Sequence, residues 1–96
     1  MADEPHAAFR AVVRGRVQGV GFREYVTGRA TVLNVTGIVR NLDDGRSVEV
    51  VAEGPRAALD RLIDHLRDGP VMSRVDDIDV DWRAPTREFS GFRVAW

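Results

Sequence analysis

Nine residues of this chain gather groups that suit anion chemistry. Gly15-Arg16-Val17-Gln18-Gly19-Val20-Gly21-Phe22-Arg23 places three glycines and two arginines side by side. Glycine reaches backbone angles that other residues avoid, so successive N–H groups can turn toward one point. Such a concave run binds anions. Arginine stays charged and presents a planar fork of donors that matches carboxylate or phosphate. The chemistry predicted is the holding of an oxyanion, phosphate above all. Asn41, in Val39-Arg40-Asn41, taken alone reads as a strand-end turn residue, a common use of asparagine.

The elements that must position these groups follow from the patterning. Phe9, Ala11 and Val13 alternate with Arg10, Val12 and Arg14, the period of a half-buried strand, beginning at Ala8. From Phe22 the period becomes helical: Phe22, Val26, Ala30 and Leu33 share a face with Tyr25 beside them. Gly28, Thr27, Thr31 and Val32 weaken that helix, so packing must hold it. Asn34 suits a left-handed stop. Residues 36–42 form a short strand, Asp43-Asp44-Gly45-Arg46 a turn, and Val48, Val50 and Ala52 the returning strand. Gly54-Pro55 opens a second helix, with the proline in its first turn. Ala58, Leu59, Leu62, Ile63 and Leu66 are its buried stripe, and Gly69-Pro70 closes it. Ile78, Val80 and Trp82 alternate in a fourth strand, and Phe92, Val94 and Trp96 in a short last one.

This order predicts an α+β fold, a two-layer sandwich of ferredoxin-like βαββαβ plan with one short C-terminal strand added. Residues 1–7 are read as a flexible N-terminus and residues 8–96 as a single domain. In that plan the first and second strands run parallel with the third between them. Their C-terminal ends then lie about 10 Å apart on one sheet edge. The glycine loop and Asn41 share that edge. The loop feeds a helix N-terminus, which favours an anion. Arg23 in the first helical turn is disfavoured by the helix dipole, and a bound anion resolves the conflict.

Composition narrows the partners. The chain has 96 residues, a net charge of −1, no cysteine and fourteen basic residues, all arginine. Disulfides, thiolate metal sites, cysteine nucleophiles, Schiff-base lysines and the lysine of a P-loop are therefore excluded. The overall charge gives no reason to expect nucleic acid. No apolar run reaches the eighteen or so residues of a membrane span. The acidic start, MADEPHAAFR, does not read as a secretory leader, so a cytoplasmic protein is expected, and a monomer is expected as well.

The motif GRVQGVGFR, Asn41 eighteen positions beyond Arg23, then GIVRNLDDG and VEVVAEGP, closely resembles the acylphosphatase family from about Phe9 to Trp96. The resemblance implies hydrolysis of a small-molecule acyl phosphate without metal or other cofactor. It implies that Arg23 and the loop Gly15, Arg16, Val17, Gln18, Gly19, Val20, Gly21 and Phe22 bind the phosphate. It implies that Asn41 positions the attacking water. The chain departs from the pattern at Asn34, at Ile38 and in a hairpin one residue longer at Arg46-Ser47.

Other readings are weaker. A noncatalytic anion- or protein-binding module of the same fold is the alternative. Residues 18–25 partly match an RNA-recognition motif, but Val20 stands where a stacking aromatic belongs, and the stretch precedes the first helix. Residues 48–53 carry no aromatic, so no stacking platform exists. Asp77, Asp79, Asp81 and Glu88 fit some calcium-loop positions, but Trp82 occupies the place of the turning glycine. His6 and His65 lack ligand spacing and read as surface residues.

Overall fold

Alternation from Phe9 to Val13 builds the strand on which the molecule is laid. A computed structural model of the protein describes residues 5–96. The elements run β1 (His6–Arg16), α1 (Phe22–Val32), β2 (Thr36–Asn41), β3 (Ser47–Pro55), α2 (Arg56–Asp68), β4 (Arg74–Arg83) and β5 (Phe92–Val94). The strands form one sheet in the order β4-β1-β3-β2-β5. β3 runs antiparallel to both β1 and β2, so β1 and β2 are parallel, and β5 lies parallel to β2. The expected plan is therefore present.

β1 starts earlier than the alternation from Ala8 suggests. β1 begins at His6, where His6 and Ala7 pair with Pro55 and Gly54. The Pro5 carbonyl accepts the Arg56 N–H at 3.0 Å. Backbone pairing thus orders residues 5–7, and the rest of the expected flexible start lies outside the described residues. Pro55 is also placed differently. It ends β3 in an extended conformation and caps α2 instead of entering its first turn.

Both helices cover one face of the sheet. Phe9, Val13, Val39, Val48 and Val50 from the strands meet Phe22 and Val26 of α1 and Leu59, Leu62 and Leu66 of α2. These side chains are fully buried, each worth about 1.5–3 kcal/mol for the larger ones. Ala58 is only half-buried, at the margin of this core. α1 is a poor helix held by packing. Thr27 and Thr31 hydroxyls donate back to the Arg23 and Thr27 carbonyls, both at 2.8 Å. It ends where expected, with Asn34 at φ 57°.

The opposite face is held by charge. Glu49 on the central β3 accepts from Arg10 on β1 (2.5 Å) and Arg40 on β2 (2.6 Å). Arg14 donates to Asp77 and Asp79 of β4. Asp77, Asp79 and Asp81, three of the four residues weighed as calcium-loop positions, therefore lie on a regular strand, and Glu88 falls outside it in the crossing that follows. β4 and β5 occupy opposite edges, so residues 84–91 must cross between them. Buried Glu53 fastens that crossing by accepting from the Thr86 N–H and hydroxyl and the Arg87 N–H.

Candidate active site

The loop between β1 and α1 is narrower than the motif. Gly15 and Arg16 belong to β1 and Phe22 to α1, leaving residues 17–21 as the connection. Val17 at its start and Phe22 at its end are both 1% exposed, so the core grips both ends. Gly15 sits at a register shift where β1 pairs with β4. A Cβ there would lie 2.2 Å from the Arg74 carbonyl oxygen, and φ is 138°, so only glycine fits. Gly21 caps α1 at φ 77°, and no side chain caps the first N–H groups of the helix. Those donors remain for a ligand.

A cleft of 140 Å³ opens there, lined by Val17, Gly19, Gly21, Phe22, Arg23 and Glu24. Arg23 is half-buried, and its Cζ lies 4.8 Å from the ring centroid of Trp96. No carboxylate of the described residues pairs with it. Its fork is thus free for an anion. Arg16, Gly15, Gln18 and Val20 do not line the cleft. Arg16 is exposed at the strand end, opposite Arg74. The Gln18 side chain turns away and donates to the Leu42 (2.9 Å) and Ser47 (2.8 Å) carbonyls.

Asn41 ends β2 on the same sheet edge. Its Oδ1 is buried and has no hydrogen-bond partner. A buried acceptor left unpaired costs about 1–3 kcal/mol, so such an atom marks a place that a water or ligand completes. Neighbouring Arg40 points to the other face, where it pairs with Glu49, and takes no part in this edge.

The hairpin between β2 and β3 is built around Asp44. Its carboxylate accepts from the Arg46 and Ser47 N–H groups and the Ser47 hydroxyl, all within 2.8 Å. The Ser47 hydroxyl foremost, with the Arg46 N–H, holds the Asp44 carboxyl below its ordinary value. Its charge is thereby turned into the hairpin. The Arg46 carbonyl in turn accepts the Gly15 N–H at 3.1 Å. That bond fastens the hairpin to the end of β1 that leads into the loop.

Sequence reasoning missed two partners of this edge. Trp96 appeared only as the end of a strand pattern, yet it backs Arg23. Gln18 appeared as a phosphate ligand, yet its amide binds the hairpin. Trp96 carried a faint signal, an aromatic just past an edge strand. His65 is also misplaced as a surface residue: it is half-buried with its ring edge-on to Tyr25. Among the described residues no cluster of three or more His, Cys, Asp or Glu is placed to hold a metal ion.

A ferredoxin-like sandwich thus carries a glycine loop, a free arginine and an asparagine with an unpaired Oδ1 on one sheet edge, an arrangement suited to an oxyanion. The acylphosphatase family pattern matches residues 9–94. An acylphosphatase of Salinibacter ruber is 52% identical over 84 residues, 88% of this chain and 87% of that protein. The crystal structure of acylphosphatase from Bacillus subtilis superposes with a TM-score of 0.89 at 39% identity, over 94% of this chain and 99% of that one. An acylphosphatase structure from Coxiella burnetii gives 0.88 at 34% identity, over 99% and 100%. The chain belongs to the acylphosphatase family, enzymes that hydrolyse acyl phosphates.

Proposed function

We propose that this chain hydrolyses acyl phosphates without a metal, with Arg23 and the loop N–H groups holding the phosphate and Asn41 placing the water. The observation that carries this reading is the buried, unpartnered Asn41 Oδ1 on the edge that holds the uncapped start of α1. An unpaired acceptor on the same sheet edge as an anion cradle, though outside the cleft's own lining, suits a water that must be aimed at phosphorus.

The carboxylate of an acyl phosphate leaves readily, so catalysis reduces to positioning and charge stabilisation. The Arg23 fork and the N–H groups take up charge on the equatorial oxygens. The Asn41 Oδ1 accepts a hydrogen bond from the water and orients its lone pair. The new P–O bond forms as the bond to the carboxyl oxygen breaks, and the electron pair leaves on the carboxylate. The proton of the water passes to a phosphate oxygen. No phosphoenzyme is required.

The same reading takes the chain as a cytoplasmic monomer that acts on a small molecule and not on nucleic acid. Edge strand β4 supports the monomer, because Asp76, Asp77, Asp79 and Asp81 discourage pairing with a second copy.

The test is turnover of benzoyl phosphate, with and without a chelator, beside a phosphate monoester. Arg23→Ala and Asn41→Ala, each checked for folding, run in parallel. Chelator-resistant turnover of the acyl phosphate alone, cut about a hundredfold or more but still measurable in both variants, is expected. Saturable phosphate binding by folded wild type without turnover would replace this reading with a noncatalytic module. Turnover that survives both substitutions undiminished would discard the site.

A further inference from the structure

We propose that Gln18 is a positioning residue whose side-chain amide locks the phosphate loop to the strand end that carries Asn41. The inference rests on the roles proposed above for the loop and for Asn41.

Both N–H groups of the Gln18 amide are spent away from the cleft. One donates to the carbonyl of Leu42, the residue directly after Asn41, at 2.9 Å. The other donates to the Ser47 carbonyl at 2.8 Å. Among the described residues these are the only side-chain hydrogen bonds made from positions 17–21. The loop keeps its own shape without them, since Val17 at its start and Phe22 at its end are both 1% exposed in the core.

The hairpin does not need this amide to close. The Ser47 carbonyl already accepts the Leu42 N–H at 2.9 Å, and Asp44 ties the turn from within. Gln18 therefore acts between two pieces that close without its amide, beside the single backbone bond from the Gly15 N–H to the Arg46 carbonyl. One piece holds phosphate, and the other ends in Asn41. β1 and β2 are separated by β3, so no ladder bond joins them directly. The Gln18 amide is the side-chain link across that gap. Its loss leaves phosphate binding in place and lets the water wander. A misplacement of roughly 1 Å costs about a hundredfold in rate.

The test compares Gln18→Met, which keeps length and removes both donors, with Gln18→Asn, too short to reach both carbonyls. Each is made in wild type and in Asn41→Ala. The readouts are kcat for benzoyl phosphate, Ki for inorganic phosphate, and the urea unfolding midpoint. In wild type, kcat should fall about ten- to a hundredfold while Ki stays within about twofold. In the Asn41→Ala background the same change should cost less than about twofold, because the positioned group is already gone. A Ki that rises as far as kcat falls would make Gln18 part of phosphate binding and overturn the proposal. Equal losses in both backgrounds, or an unchanged kcat in a folded variant, would overturn it as well. Failure of the Asn41 reading looks different: Asn41→Ala alone then keeps full kcat, whatever Gln18 does. If Gln18→Met does not fold, Gln18→Asn carries the same comparison.

Discussion

The Trp96 ring stands against the Arg23 guanidinium, with its centroid 4.8 Å from Cζ. β5 runs parallel to β2 with Val94 level with Val39, and the Ala95 N–H donates to the Val39 carbonyl at 2.9 Å. The chain therefore leaves β5 toward the same edge at which β2 ends in Asn41. A strand of three residues thus carries an aromatic face to the arginine of the first helix.

Trp96→Ala should weaken phosphate binding modestly. An exposed cation–π contact is worth about 0.5–1 kcal/mol, or roughly two- to fivefold in affinity. The Ki of inorganic phosphate measures it, and Trp96→Phe should keep most of the effect. A Ki unchanged in Trp96→Ala would mean that the ring does nothing for the arginine.

Arg23→Lys should be nearly as damaging as Arg23→Ala. A lysine restores charge but not the planar fork that meets two phosphate oxygens. A loss of about a hundredfold in kcat/KM is expected, the size seen when one oxyanion donor is removed. Recovery of more than half the wild-type value would show that charge alone suffices.

Two glycines predict opposite outcomes in urea unfolding. Gly15→Ala drives a Cβ to within 2.2 Å of the Arg74 oxygen at a positive φ, and should cost at least about 2 kcal/mol. Gly28 lies on the exposed side of α1 with nothing within 4 Å of its missing Cβ. Gly28→Ala should therefore add about 0.5–1 kcal/mol. Similar effects from both would contradict the packing described for the register shift.

Acid should loosen the crossing between β4 and β5. Burial pushes the Glu53 carboxyl upward, but the Thr86 hydroxyl and the Arg87 and Thr86 N–H groups outweigh it. The folded value lies below the ordinary 4.5. A carboxyl lowered on folding adds stability that is complete above its unfolded value and is lost as pH falls through the folded one. Glu49, held low by Arg40 and Arg10 against the same burial effect, adds to this slope. Unfolding free energy should then decline below about pH 4.5, and Glu53→Gln should show a shallower decline. Parallel curves for the two proteins would remove Glu53 from the account.

Much of this was legible in the chain. Alternation at Phe9–Val13 and at Val48–Ala52, and the helical spacing of Leu59, Leu62 and Leu66, are local patterns, and local patterns survive folding. Strand starts were less legible. β1 reaches back to His6 because Gly54 and Pro55 lie opposite, a partner nearly fifty residues away. The direction of Gln18 was not legible either, since its motif fits a ligand and a tether equally well.

Element order, the glycines that permit the loop, and the arginine and asparagine offered to one sheet edge could all be read along the chain. These depend on periodicity, backbone freedom and side-chain chemistry, which each residue carries with it. Tertiary structure alone decided that Trp96 backs Arg23, that Gln18 binds the hairpin, that Asp44 spends its charge inward and that Glu53 fastens the crossing. Each of those facts is a contact between groups remote in the chain or a choice among several acceptors. Only the packed sheet brings such groups within hydrogen-bond or stacking distance.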